Sequence, residues 1–425
     1  MTQSSKENSL YSYRWLIYII VLLLYCTGSF LRLSPGVIKN ELEAAFALGA
    51  VGFSTLNSMY FYTYMILQIP VGIFVDTIGA KKMVIIGGTI TALGSALFGL
   101  AGSVPVLMIS RLLIGMGTSA FFIAILKLQT QWYLANEYGF MTGLTSFVGN
   151  MGGALAQGPL AFIIALASWR ITFLSVSGLI LLLVIASAFF VVNRPEDKGF
   201  APLHAPADAA PASQIKLGSI LLETFKNKKI WPLVLYMFFA PACSFTIIAW
   251  GPAFFTETYD VTMLTAGNIM FIQTTVFALS CVAIGKISDL IKRRKLPSVL
   301  FAAVNVVIWC VFAFAGNRVS LPVAATLIII SGAANTGYIL SLAIAKEISN
   351  PEFSGISTSV VNTAPFLGGA VAPIIFGTII ERYTPMLSGI ALFQKAFLLL
   401  ALFYICAFVS SFFLVETGAR NIYYD

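Results

Sequence analysis

Twelve apolar stretches, each long enough to cross a bilayer, constrain this chain more than any other feature. A spanning helix needs about 20 apolar residues. Such runs lie at 14–38, 51–75, 83–102, 105–128, 139–163, 171–193, 231–255, 264–288, 297–315, 321–346, 356–380 and 390–415. Composition agrees, since 59% of the 425 residues are hydrophobic and only 10% are charged, far less charge than a soluble domain carries. The net charge of +8 therefore reads as orientation in a membrane and not as nucleic-acid binding. The first run is long and no small-residue cleavage site follows it, so it reads as a retained helix and not a signal peptide. The expected fold class is an all-α integral membrane protein with twelve transmembrane helices.

Two charged turns punctuate these runs. One reads Gly72-Ile-Phe-Val-Asp76-Thr-Ile-Gly79-Ala-Lys81-Lys82 and the other Gly285-Lys-Ile-Ser-Asp289-Leu-Ile-Lys-Arg293-Arg294-Lys295. Gly72 and Gly285 are 213 residues apart, as are Asp76 and Asp289. A fixed offset of half the chain points to an internal duplication, and repeated halves in an apolar chain point to a transporter built from two bundles. The longest loop holds Pro195, Pro202, Pro206, Pro211 and the single histidine, His204, a linker composition with a short amphipathic piece near 215–229. The expected division is 1–193, a cytoplasmic linker 194–230, and 231–425.

Lys and Arg set the orientation. With the N-terminus inside, 18 of the 25 basic residues fall on inner loops, tails or helix ends. The outer seven are Arg32, Lys39, Arg111, Arg170, Arg318, Arg382 and Lys395. Both termini are then cytoplasmic, and a bacterial-type inner membrane is the expected location. The five cysteines all lie in apolar runs without metal-ligand spacing, so they read as small core residues.

The paired G-x-x-x-D turns, Arg111-x-x-x-Gly115-x-Gly117 and Gly158-Pro159 resemble the major facilitator superfamily over essentially the whole chain. The resemblance implies two pseudo-symmetric six-helix bundles, substrate bound near mid-membrane, and alternating access. It implies conformational or coupling roles for Asp76, Lys81, Lys82, Arg111, Lys127, Asp289, Arg293 and Arg294. The first turn departs from the family pattern at Thr77 and Ala80. A narrower likeness runs through Arg32-Leu-Ser-Pro-Gly-Val-Ile, Tyr60-Phe-Tyr-Thr-Tyr64, Gln68-Ile-Pro-Val-Gly72 and Lys127-Leu-x-x-x-Trp132. These are similar to bacterial anion and metabolite porters, including the phagosomal amino-acid transporter (Pht) group and siderophore importers.

A charge near mid-membrane is a functional candidate by default. Tyr25, Ser29 and Arg32 share one face of the first helix, where a guanidinium could grip a carboxylate or phosphate bidentately. The alternative is an Arg32 that snorkels to outer water. The second helix carries a polar stripe of Asn57, Tyr60, Tyr64 and Gln68, which could also be helix packing. Asn150, Gln157, Trp250, Asn268, Gln273, Asn335, Tyr338 and Asn362 complete the candidate substrate-binding set, with Trp250 open to a second reading as an interfacial anchor. Arg111 reads either as a coupling group or as an outer-end anchor. Lys127 and Lys346 read either as snorkelling groups or as inner-mouth anion binders.

No Asp, Glu or His lies well inside a span. The coupling mode therefore stays open among exchange, facilitated diffusion, and a proton carried on substrate or on a mouth carboxylate such as Glu41, Glu257 or Asp260. Enzyme motifs such as H-E-x-x-H, G-x-S-x-G and a phosphate-binding loop are absent, so no catalytic residue, metal or cofactor is expected. The reading is a monomeric secondary transporter, in contact with the bilayer, of a small anionic or zwitterionic molecule: an organic anion or an amino acid. Carboxylate siderophore import, drug or metabolite efflux, and a transporter-like nutrient sensor are the alternatives.

Overall fold

A computed structural model describes residues 3–200, 224–315, 319–350 and 354–423. His204, and the anticipated amphipathic piece up to residue 223, lie outside these residues. The first half holds α1 (Gln3–Leu33), α2 (Lys39–Phe46), α3 (Ala50–Ile78), α4 (Ala80–Gly99), α5 (Val104–Trp132), α6 (Ala135–Leu155), α7 (Gly158–Leu166) and α8 (Trp169–Phe190). The second holds α9 (Ile230–Tyr259), α10 (Met263–Ile291), α11 (Lys295–Ala315), α12 (Leu321–Asn335), α13 (Leu340–Glu347), α14 (Ser354–Tyr383) and α15 (Gly389–Phe412).

Among the described residues, eleven helical segments are long and apolar enough to cross a membrane, and the bent α6–α7 pair, meeting at 41°, makes a twelfth. The break falls beside Pro159, which lacks an N–H for the Leu155 carbonyl and whose ring crowds that group. A second interruption is the 3₁₀ turn Thr336–Ile339, which links α12 to α13 inside one span.

Two compact units are present: residues 1–34, 62–156 and 162–213 in one, and 35–61, 157–161 and 214–425 in the other. In the first, α4 packs on α5 and α8, and α1 packs on α5, α6 and α8. Close helix approach depends on small residues; a Cβ on Gly117 would overlap the Gly87 carbonyl and sit 2.6 Å from the Thr91 nitrogen. In the second, α9 packs on α14 and α15, α11 on α15, and α10 on α12. Residues 35–61 lie within this second unit. A Cβ on Gly36 would sit 2.6 Å from the Ile248 carbonyl oxygen, and the Ser58 hydroxyl donates to the Ala370 carbonyl at 2.6 Å. The backbone N–H of Val51, at the start of α3, donates to Glu381 at 2.8 Å.

Candidate functional site

The end of α1 brings the first candidates together. Arg111 on α5 is fully buried. It donates to the Leu31 carbonyl at 2.7 Å and, at 3.4 Å, to that of Arg32. The last carbonyls of a helix have no partner within it and carry its negative dipole end, so a buried guanidinium both caps and neutralises them. Arg111 is therefore neither exposed nor a surface anchor; it fixes the backbone that carries Arg32. The Arg32 side chain is half-buried. One and two turns back on the same helix, Ser29 is buried with an unpartnered Oγ, and Tyr25 lies against Phe122 at 5.5 Å.

The two charged turns, 213 residues apart, are alike in part. Gly79 (φ 91°, ψ 153°) and Lys292 (φ 50°, ψ 39°) fall at the same offset and both have positive φ, but only Lys292 is in the left-handed helical region. Two residues on, the backbone N–H groups of Lys81 and Arg294 are also equivalent. The Asn193 side chain caps the first at 2.9 Å and the Glu416 carboxylate caps the second at 2.8 Å. The charges diverge. Asp76 pairs with Lys127 at 2.7 Å, with side chains 66% and 40% exposed, so the pair adds at most about 1 kcal/mol. Lys127 thus engages the turn on α3. Lys82 and Arg293 are exposed, and Lys81 is half-exposed.

In the second turn Arg294 bonds Asp289 at 2.7 Å and Glu347 at 2.8 Å, with its own side chain only 9% exposed. Burial disfavours its charge, but the bonds to Glu347 and Asp289 outweigh that and raise its pKa. Glu347 is 13% exposed, so removing that partner costs about 3–5 kcal/mol, whereas Asp289 is 65% exposed and its pairing adds at most about 1 kcal/mol.

A third charged cluster lies at the other helix ends of the second unit. Lys39 is buried, pairs with Glu43 at 2.9 Å and Glu257 at 3.4 Å, and sits 5.0 Å from the Trp250 ring. Trp250 is itself buried against Phe53 and Phe376, so it is a core residue and not an interfacial anchor. Of the mouth carboxylates, Glu257 is taken by Lys39, and Asp260 is the left-handed cap of α9. Glu41 has a buried oxygen with no hydrogen-bond partner, and burial pushes its pKa up.

The remaining candidates are dispersed. Asn57, Tyr60 and Tyr64 are buried on α3 and Gln68 is half-buried. Asn150 donates to Ser146 on its own helix. Gln157 is fully buried at the α6–α7 break, whereas Asn268 is exposed beside Gly158. Gln273 is buried and accepts from Thr274. Asn335 accepts from Tyr404, Tyr338 stacks on Phe277, and Asn362 is half-buried on α14. Spacing in the sequence missed the bidentate Arg14–Glu137 pair, at 3.0 and 2.8 Å. It also missed Glu347 and Glu416. Their one sequence signal is position: Glu347 ends a span and Glu416 follows the last one, where a helix end needs a cap.

The model of the Major Facilitator Superfamily matches residues 17–373. The chain belongs to that superfamily. Several transporters are similar to it over most of their length. The uncharacterized transporter YybO of Bacillus subtilis (strain 168) is 23% identical, covering 87% of this chain and 88% of its own. The probable sulfoacetate transporter SauU of Cupriavidus necator is 25% identical over the same shares of the two chains. The hexuronate transporter of Bacillus subtilis is 24% identical over 84% of this superfamily member and 85% of itself. Among solved structures, a bacterial homologue of the human lysosomal transporter Spinster superposes with a TM-score of 0.76 at 16% identity, covering 95% of this chain and 97% of that one. At that identity the likeness speaks for the fold.

Proposed function

We propose that this superfamily member is a secondary transporter of small organic acids in a bacterial inner membrane, with Arg32 gripping the substrate carboxylate. The observation that carries the reading is the end of α1. There Arg111 holds the Leu31 carbonyl at 2.7 Å, the peptide group directly before Arg32, so the Arg32 guanidinium starts from a fixed point on the helix face that also carries Tyr25 and Ser29. The names of two relatives, for sulfoacetate and hexuronate, support an acid over an amino acid. The narrower likeness to the Pht group and to siderophore importers rests on sequence motifs alone and ranks below it. The other polar candidates, from Asn57 to Asn362, contribute hydrogen bonds to the remainder of the substrate. The two halves, 1–193 and 231–425, alternate access with residues 194–230 as their link.

Binding of an organic acid and of its neutral amide to wild type, Arg32→Lys and Arg32→Gln tests the reading. A charge-assisted hydrogen bond is worth about 1.5–3 kcal/mol, a loss of about 10- to 150-fold in affinity for the acid in Arg32→Gln. Arg32→Lys falls between, because it keeps the charge and loses the fork. Equal affinity of wild type and Arg32→Gln for the acid would make Arg32 a snorkelling anchor. Topology follows from the Lys and Arg distribution, with both termini and the Asp76 and Asp289 turns cytoplasmic. A cysteine at position 204 that reacts with an impermeant reagent outside intact cells would overturn that orientation.

A further inference from the structure

The chain that follows the last helix lies across the end of the second unit that carries Asp289. The two oxygens of Glu416 take the backbone N–H groups of Arg294 and Lys295 at 2.8 and 3.1 Å. The Thr417 hydroxyl donates to Glu347. The Asn421 amide donates to the carbonyls of Lys346 and Ser349 at 3.3 and 3.1 Å, and the N–H of Ile422 to that of Glu347 at 2.8 Å. One short segment thus holds the start of α11 and the end of α13. Arg294 is gripped twice, its backbone by Glu416 and its guanidinium by Glu347, and Glu347 is in turn held by Thr417.

The duplicated turn of the first unit offers a comparison inside the same chain. There the neutral Asn193 oxygen accepts from Lys81 alone, at 2.9 Å. A carboxylate that takes two N–H groups at a helix start is charge-assisted and favoured by the helix dipole. The cap of the second turn is the stronger one, and it lies on a segment tied to a further helix.

We propose that residues 416–422 are a clasp that makes the Asp289–Arg294 turn and the end of α13 move as one block, and that this block sets the rate of the transport cycle. The functional half of this inference rests on the reading of the chain as a transporter. The structural half does not. A clasp that makes no substrate contact acts on turnover and leaves binding alone.

The test uses the purified chain as Glu416→Gln, Glu416→Asp and Thr417→Val, and as a form ending at Val415. Hydrogen exchange of the amides at 293–297 and 345–350 is expected to speed by about tenfold or more in the shortened form, as expected when local hydrogen bonds that hold a segment closed are lost. Glu416→Gln is expected to show part of that effect, and Glu416→Asp less still. In counterflow the maximal rate falls in the same order, with half-saturation within about twofold of wild type, since no substrate contact is removed. Should the shortened form fail to fold, Glu416→Gln and Thr417→Val carry the comparison. Wild-type amide exchange in the variants would overturn the clasp. Faster exchange with an unchanged maximal rate would reduce it to packing and overturn the functional half. If wild type moved none of the acids offered, the substrate reading would fail by itself, and amide exchange would still decide the clasp.

Discussion

Arg111 is the residue whose replacement tests most about this site. It is fully buried and bonds the Leu31 carbonyl at 2.7 Å, while the 3.4 Å contact to Arg32 is long enough to count for little. A hydrogen bond to a charged group is worth about 1.5–3 kcal/mol. A cation at a helix C-terminus adds about 0.3–1 kcal/mol, up to ~2 kcal/mol when partly buried. Arg111→Met is therefore expected to destabilise the protein by about 2–4 kcal/mol, read from unfolding in detergent. Arg111→Lys keeps the charge but cannot reach with a planar fork. Its cost should appear in affinity, through a displaced Arg32.

A double-mutant cycle separates positioning from independent action. Binding of the acid is measured for wild type, Arg111→Lys, Arg32→Gln and the pair. If Arg111 acts by placing Arg32, Arg111→Lys weakens binding in the wild-type background. In the Arg32→Gln background it changes affinity by no more than about twofold. Full additivity of the two changes would refute the positioning role and leave Arg111 as a structural cap only.

The other predictions concern the turns and Glu41. Asp289→Asn should slow counterflow more than Asp76→Asn: the two carboxylates are similarly exposed, at 65% and 66%, but Asp289 meets a guanidinium only 9% exposed and Asp76 an ammonium 40% exposed; a raised dissociation constant with normal turnover would contradict this. Lys292→Gly should raise stability by about 1 kcal/mol, since Lys292 sits in left-handed backbone (φ 50°) that an L side chain resists. A lowered thermal midpoint would show that its side chain contributes more than the strain costs. Glu41, near Lys39 and Glu43 of its own helix and on the element that Lys39 ties to Glu257, has its pKa raised by burial. A raised native pKa contributes stability below the ordinary carboxylate value, which is lost as pH rises through the raised one. Glu41→Gln should therefore gain stability relative to wild type as pH rises above about 4.5, and a flat difference between the two melting curves would rule out burial as the cause.

Some features of the site were legible and others were not. The Asp76 and Asp289 motifs could be read because each is a local pattern that repeats at 213 residues; the positive φ at 79 and 292 came only with the structure. Arg111 could be flagged as costly in a membrane, yet its partner could not be named, because backbone carbonyls 79 and 80 residues away leave no pattern in side-chain spacing. Trp250 remained open between interface and site because aromatic residues serve in both places. Its burial against Phe53 and Phe376 excludes the interface.

Hydrophobic length is a property of each segment by itself, so the sequence alone determined the spans, the all-α class and the duplication. The α6–α7 break was not legible: Pro159 removes a donor, but so do Pro70, Pro241, Pro252, Pro365 and Pro373, which lie inside unbroken helices. The destination of each charge was decided only in three dimensions. Lys39 could have faced water, lipid or Glu257. Glu416 had no helix of its own to cap until α11 began beside it. A desolvated ion or an open helix end has to find a partner, but which partner depends on the approach of segments 53 to 330 residues apart, set by small residues such as Gly36 and Gly117 that let backbones meet.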